Sequence, residues 1–167
     1  MDYRRPEVQD LIRSLKYDGN EYAAHLCAAI VSDYLREEIA AIRVFSPRPI
    51  YIIPLPLHGM RIRERGFNQI TLVLDQLPQE FRDGTLALVT DSILARTRDT
   101  PHQTSLPRRS RIANMRHAFS VVDPDRIRRA HVFVIDDVTT TGATLVNAAK
   151  PLQKAKADVT LIALARA

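Results

Sequence analysis

Cysteine occurs once in this chain, at Cys27, glycine only five times, and no apolar run approaches the length of a membrane span. Each shortage excludes something. A single thiol forms no intrachain disulfide and builds no cysteine-rich zinc site. The longest apolar runs, such as 132–135 and 161–165, fall far below the roughly 18 residues that cross a bilayer, so no membrane insertion is expected. The opening Met1-Asp2-Tyr3-Arg4-Arg5-Pro6-Glu7 carries charge with no apolar core after it. No signal peptide is expected, and a reducing cytoplasm is the default location. Gly19, Gly59, Gly66, Gly84 and Gly142 form neither G-x-G-x-x-G nor G-x-x-x-x-G-K-[ST]. That removes a dinucleotide fingerprint and a P-loop nucleotide hydrolase.

What remains is a chain of 167 residues and 18.9 kDa with 46% hydrophobic and 26% charged residues, the balance of one globular domain. The net charge is +5, and of 24 basic residues 20 are Arg. The planar fork of arginine matches phosphate oxygens where lysine offers a mobile point charge, so phosphate is the first partner to consider.

The pattern alternates strands and helices. Pro6 opens a helix whose apolar face is Val8, Leu11, Ile12 and Leu15, and 17–20 is a turn. A longer amphipathic helix spans 21–42, with Ala24, Cys27, Ala28, Val31, Leu35, Ile39 and Ile42 inward. The run 50–53 reads as a buried strand ended by Pro54 and Pro56. Asn68 caps a helix buried through Ile70, Val73, Leu74 and Leu77 and stopped by Pro78. The segment 85–94 reads as a strand, 96–116 as a long Arg-rich loop, and 118–122 as a short strand closed by Asp123-Pro124-Asp125. A second buried strand at 132–135, a helix from about Ala143 and a last strand at 159–165 complete the chain. Pro151 is expected to kink or end that helix, and Lys156 stands where a helix-ending glycine is natural. The pattern predicts an α/β fold with a mainly parallel sheet flanked by helices. One domain is expected, with a helical N-terminal segment at 1–48 and a core at 49–167.

The sharpest local signal is Val132-Phe133-Val134-Ile135-Asp136-Asp137-Val138-Thr139-Thr140-Thr141-Gly142-Ala143-Thr144. Two carboxylates follow an apolar strand, at the edge where open α/β sheets place ligands. A hydroxyl-rich loop around one glycine then leads into a helix N-terminus. Such a loop offers backbone N–H groups, hydroxyls and the positive end of a helix dipole to an anion. Adjacent carboxylates suit vicinal hydroxyls, and they favour Mg2+ through water. Phosphate at one end and a diol at the other describe a ribose 5-phosphate. The plainer reading of the same residues is a Thr-rich turn capping a helix beside a solvated acidic pair.

This segment resembles the signature that binds phosphoribosyl pyrophosphate (PRPP) in type I phosphoribosyltransferases. The resemblance implies ribose contacts and Mg2+ at Asp136 and Asp137, and 5-phosphate contacts at Val138, Thr139, Thr140, Thr141, Gly142, Ala143 and Thr144.

Two further stretches carry a narrower resemblance. Pro54-Leu55-Pro56-Leu57-His58-Gly59-Met60-Arg61-Ile62-Arg63-Glu64-Arg65-Gly66-Phe67-Asn68-Gln69 follows the first buried strand and sets its arginines and histidine before a helix N-terminus. It is similar to the ComF-type competence protein family, a branch of the phosphoribosyltransferase-like proteins. That similarity implies pyrophosphate binding near Leu57 and His58, helped by Arg61, Arg65, Asn68 and Gln69. The stretch 94–114 is similar to the same family and, more weakly, to amidophosphoribosyltransferases. There it implies a loop that closes over PRPP, with Arg96 and Arg109 as catalytic cations and Thr100, Gln103, Arg111 and Asn114 as loop contacts. Closure would exclude water and bring cations to the leaving group. Members of the family commonly begin with a cysteine-rich zinc ribbon, for which this sequence has too few cysteines, and no glutaminase half is expected.

Two functions follow from the resemblance and stay open on the sequence. One is a phosphoribosyltransferase that uses PRPP and Mg2+, releases pyrophosphate and has an undefined acceptor. The other is a non-catalytic protein that binds PRPP or a nucleotide monophosphate and acts in competence-related DNA uptake, with single-stranded DNA or a competence helicase as partner. A homodimer is a further implication of the family. No aromatic follows Phe133, so a cover for the acceptor is expected from residues 1–48 or from a partner chain.

Overall fold

The structure is a computed structural model and describes residues 1–57, 59–97 and 118–167; of Arg61 it describes the backbone alone. Four parallel strands form the central sheet in the order β2-β1-β5-β6, with β1 at Ile50–Pro54, β2 at Leu88–Val89, β5 at His131–Thr139 and β6 at Asp158–Arg166. A separate antiparallel ribbon pairs β3 (Leu94–Arg96) with β4 (Phe119–Val121). The segment 85–94, expected as one strand, is therefore two short strands in different sheets. The polar stretch Thr90-Asp91-Ser92 between them explains the break, because Thr90 Oγ1 accepts the Ser92 N–H and closes a turn.

Both faces of the sheet are covered, as parallel sheets require. On one face lie α1 (Pro6–Arg13), α2 (Glu21–Phe45) and α4 (Gln69–Asp75). Ile12, Leu15, Cys27, Leu35, Ile39, Ile70 and Leu74 pack there with Ile50, Ile52, Phe133 and Ile135 in one continuous cluster. On the other face α5 (Ala143–Lys154) and the β3–β4 ribbon bury Leu145, Ala148, Leu152, Leu94 and Phe119 against Ile53, Val132 and Val134. The period-2 alternation of β5 thus sends 133 and 135 to the α2 face and 132 and 134 to the α5 face.

The helix ends obey local chemistry. The Asn20 side chain accepts the Ala23 N–H and starts α2, and the Asn68 side chain accepts the Ile70 N–H and starts α4. Between α1 and α2 the chain forms a π-helical turn at Ser14–Asp18, closed by Gly19 in the left-handed region. The helix α5 runs on through Pro151 to Lys154 rather than ending there. Only one backbone N–H is missing at that position, and the following turns are closed by Ala155 and Lys156 N–H bonds to Pro151 and Gln153. Among the described residues no helix is long and apolar enough to cross a membrane.

Candidate functional site

The sheet order creates a crevice. From β1 the chain moves outward through α4 to β2, and from β5 it moves outward the other way through α5 to β6. The carboxyl ends of β1 and β5 are neighbours, since Pro54 pairs with Ile135 and the Leu55 N–H donates to the Ile135 carbonyl at 2.8 Å. The loops that leave them diverge to opposite faces. This is a topological switch point, where open α/β sheets bind ligands.

The strand β5 is longer than its sequence pattern indicates. It continues through Asp136, Asp137, Val138 and Thr139, held by β6, with Asp136 opposite Ala163 and Thr139 opposite Arg166. The acidic pair is therefore in the strand, past the end of β1, and not in the loop; Val138 and Thr139 close the strand. The pairing partner β6 overrides the polar sequence there. Strand alternation then separates the two acids. Asp137 turns to the α4 face and is buried. Asp136 belongs to the α5 face and is half-buried, and its Oδ1 accepts the Asp137 N–H at 2.9 Å.

Asp137 is enclosed by this chain's own donors. Its Oδ2 receives the Gln69 amide at 2.5 Å and the Lys16 ammonium at 3.1 Å, and its Oδ1 takes the Val138 N–H. The Gln69 Oε1 in turn accepts from Arg65, whose guanidinium lies over the Tyr17 ring at 5.5 Å. One network thus joins the π-turn, α4 and the acidic strand. Lys16, which the sequence pattern did not single out as a site residue, is its missing member; the lone lysine on the first helical face was the available signal.

The remaining site residues fall in three groups. Thr140, Thr141, Ala143 and Thr144 are exposed around Gly142, which is left-handed at φ 73°. No side chain caps α5, and the Thr141 hydroxyl reaches the Ala143 N–H only at 3.4 Å. The first turn of that helix is thus without a close side-chain cap. The stretch after β1 differs from expectation: Gly59–Arg65 is itself a helix, α3, so its arginines stand on a helix and not in a loop. Leu57 is buried, and Asn68 ties this stretch to α4 by donating to the Leu55 carbonyl at 3.2 Å. His58 and the Arg61 side chain lie outside the described residues. Arg96, expected to open a loop, ends β3 with its guanidinium over the Phe119 ring at 5.3 Å. Thr100, Gln103, Arg109, Arg111 and Asn114 lie outside the described residues.

The two carboxylates lie on opposite faces of the strand, so a divalent cation would not be held by both. Asp137 already holds an ammonium and an amide, and Asp136 stands apart from it on the α5 face, its Oδ1 accepting the Asp137 N–H. Among the described residues no three His, Cys, Asp or Glu side chains gather as a metal site. The residues fit Mg2+ only in the mode where ligand phosphates and water complete the shell.

Strand order and two-sided cover define an α/β protein with a parallel sheet, and a hydroxyl-rich helix start lies at its switch point. Comparison with known proteins makes this more specific. The chain is 36% identical to Competence protein F of Haemophilus influenzae over 107 residues, 64% of this chain and 45% of that protein. It is 32% identical to the DNA utilization protein YhgH of Salmonella typhi over 149 residues, 88% of this chain and 61% of that protein. It matches YhgH of Escherichia coli at the same identity and coverage. Over most of its length the chain is thus similar to proteins named for competence and DNA utilization, in line with the ComF-type resemblance of its motifs. It spans less than two thirds of the length of these relatives. No protein-family profile matches it. Among solved structures, a hypoxanthine phosphoribosyltransferase of Staphylococcus aureus aligns over 86% of this chain and 63% of that one, at 11% identity and a TM-score of 0.45.

Proposed function

We propose that the carboxyl edge of the sheet binds a ribose 5-phosphate ligand, PRPP foremost, with Mg2+ accompanying it. The observation that carries this reading is the uncapped start of α5, ringed by exposed threonines, directly beyond the strand that bears Asp136. A 5-phosphate accepts from the N–H groups and hydroxyls at 140–144, and Asp136, on the same face, accepts from a ribose hydroxyl. In transfer, positive charge grows on the ribose ring and negative charge on the leaving pyrophosphate, so a carboxylate beside the ring and arginines beside the diphosphate favour the reaction. Mg2+ supplies charge neutralisation at the leaving diphosphate. Calorimetry with PRPP and Mg2+, followed by product analysis over purine, pyrimidine and amine acceptors, tests it. Binding that Asp136→Asn weakens supports the reading; heat equal to that of the buffer overturns it.

A second reading has its own support. Asp137 is held by Lys16 and Gln69, so the two acids do not face a sugar together. The relatives are named for competence and DNA utilization. Under this reading the protein binds PRPP or a nucleotide monophosphate without turnover, and single-stranded DNA or a competence helicase is its partner. The same experiment separates the two: tight PRPP binding with no product from any acceptor selects the non-catalytic role.

A further inference from the structure

The opposite, amino-terminal edge of the sheet holds a charge cluster that the candidate site does not use. There β1, β5 and β6 begin, and the segment 46–49, the turn before β5 and the end of α5 enclose a cleft of about 550 Å3. Arg48, Arg129 and Lys156 line it, with Asp158 as the one acid, ion-paired to Arg48. Three cations against one anion leave a surplus of two positive charges.

Three observations set this cluster apart from a solvated basic surface. Arg129 (φ 63°) and Lys156 (φ 67°) are the non-glycine residues with positive φ among the described residues. A β-carbon is unfavourable in that region, and glycine is the usual occupant. Lys156 occupies the glycine position of a helix-ending Schellman turn, in which the Ala157 N–H donates to Leu152 and the Lys156 N–H to Gln153. Arg129 donates its N–H to the Lys156 carbonyl at 3.0 Å. The negative end of the α5 dipole favours one cation there. It does not call for a left-handed arginine beside it.

Second, Arg48 lines the cleft with its guanidinium held by Asp158 and its Nε buried without a hydrogen-bond partner. Third, the backbone donors around the cleft are spent. Arg48, His131 and Asp158 give their N–H groups to Ser46, Pro49 and Ala130. The donors left over are guanidinium and ammonium groups, the geometry that suits phosphoryl oxygens.

We propose that this cleft is a second anion site that takes a phosphoryl group, as inorganic phosphate or as the diphosphate end of a small ligand, between Arg48, Arg129 and Lys156. Asp158 keeps Arg48 in position, and the two left-handed residues bring long cationic side chains to a place where glycine would fold more easily.

The test is a titration of 15N-labelled protein with inorganic phosphate and then pyrophosphate, at ionic strength matched with chloride. The amides of Ala130 and Ala157 report this cleft, and those of Thr140 to Thr144 report the carboxyl edge, so the two sites are read separately. Saturable shifts are expected at Ala130 and Ala157. In the double variant Arg129→Gly/Lys156→Gly those shifts are expected to vanish, while any shifts at 140–144 persist. The same variant is expected to melt higher by roughly 2–4 °C, because glycine relieves the left-handed backbone. Saturable response at Ala130 and Ala157 that survives the double substitution overturns the proposal. So does its absence from the unsubstituted protein, or a double variant that melts lower. Pyrophosphate saturating at lower concentration than phosphate identifies the diphosphate as the ligand end; the reverse order identifies the single phosphate.

Discussion

The ammonium of Lys16 lies 3.1 Å from Oδ2 of Asp137, with side chains only 20% and 10% exposed. A lysine from a π-helical turn near the start of the chain thus meets the buried acid of the strand that carries the candidate site. Lys16→Met removes the cation and leaves the carboxylate with Gln69 and the Val138 N–H. The expected loss is about 1–3 kcal/mol of stability, set by a charge that remains in a poorly solvated place. Lys16→Met/Asp137→Asn recovers part of that loss, since an amide needs no counter-ion. Urea unfolding of the four-member cycle measures the coupling; additive losses would mean that the pair contributes nothing.

Gly142 offers a second test, of conformation rather than charge. Its φ of 73° disfavours a β-carbon, yet an added Cβ meets only Thr139 Oγ1, at 3.9 Å. Gly142→Ala therefore costs about 1 kcal/mol through backbone preference alone. The effect on the ligand is expected to be larger than the effect on the fold. A β-carbon at the first turn of α5 stands beside the N–H groups that a phosphate would approach, and PRPP affinity is expected to fall roughly tenfold. Calorimetry and thermal melting on one preparation separate the two effects.

Much of this architecture is legible in the residues because burial writes a period into them. The helix α2 follows from the spacing of Ala24, Cys27, Ala28, Val31, Leu35 and Ile39, all buried as expected. The strands at 50–53 and 132–135 follow from apolar runs that only a sheet covered on both faces explains. The features that escape are those set by partners distant in sequence. The extension of β5 through Asp136 and Asp137 depends on pairing with β6, and no local preference at two aspartates announces it. The helix α3 carries no apolar stripe in Gly-Met-Arg-Ile-Arg-Glu-Arg. The separation of the two acids to opposite faces follows from that same extension, because a strand alternates where a loop need not.

His131 gives a pH test. Its ring is half-buried, 4.8 Å from the Phe133 ring, with Nε2 at 2.9 Å from the Thr160 hydroxyl. Burial lowers its pKa below the ordinary 6.5, and the nearby Arg48 charge lowers it further against the opposing pull of Glu38. The unfolded chain therefore takes up a proton at a pH where the folded chain does not. Stability from this residue is present above about 6.5 and is lost as the pH falls from there towards the folded pKa. Urea midpoints at pH 7.5 and 5.5 are expected to differ more for the unsubstituted protein than for His131→Gln. Equal differences would show that the ring titrates as it does in water.

Cys27 closes the set, because its environment fixes both its reactivity and the route by which a reagent reaches it. Burial raises the thiol to about 11, and the side chain is fully covered on the inner face of α2, within the cluster that includes Phe133 and Leu164. At pH 8 little of it is thiolate, and reactivity follows the thiolate. Ellman's reagent is therefore expected to leave the native protein unlabelled and to titrate one thiol in urea. Labelling below the unfolding midpoint must proceed through an opening that lifts α2 from the sheet. If that opening is global, the labelling rate follows urea with the slope of complete unfolding. A shallower slope would mean that α2 detaches while β1, β5 and β6 stay paired. Lys16, in the turn just before α2, is then expected to slow labelling through its hold on Asp137, and Lys16→Met to accelerate it.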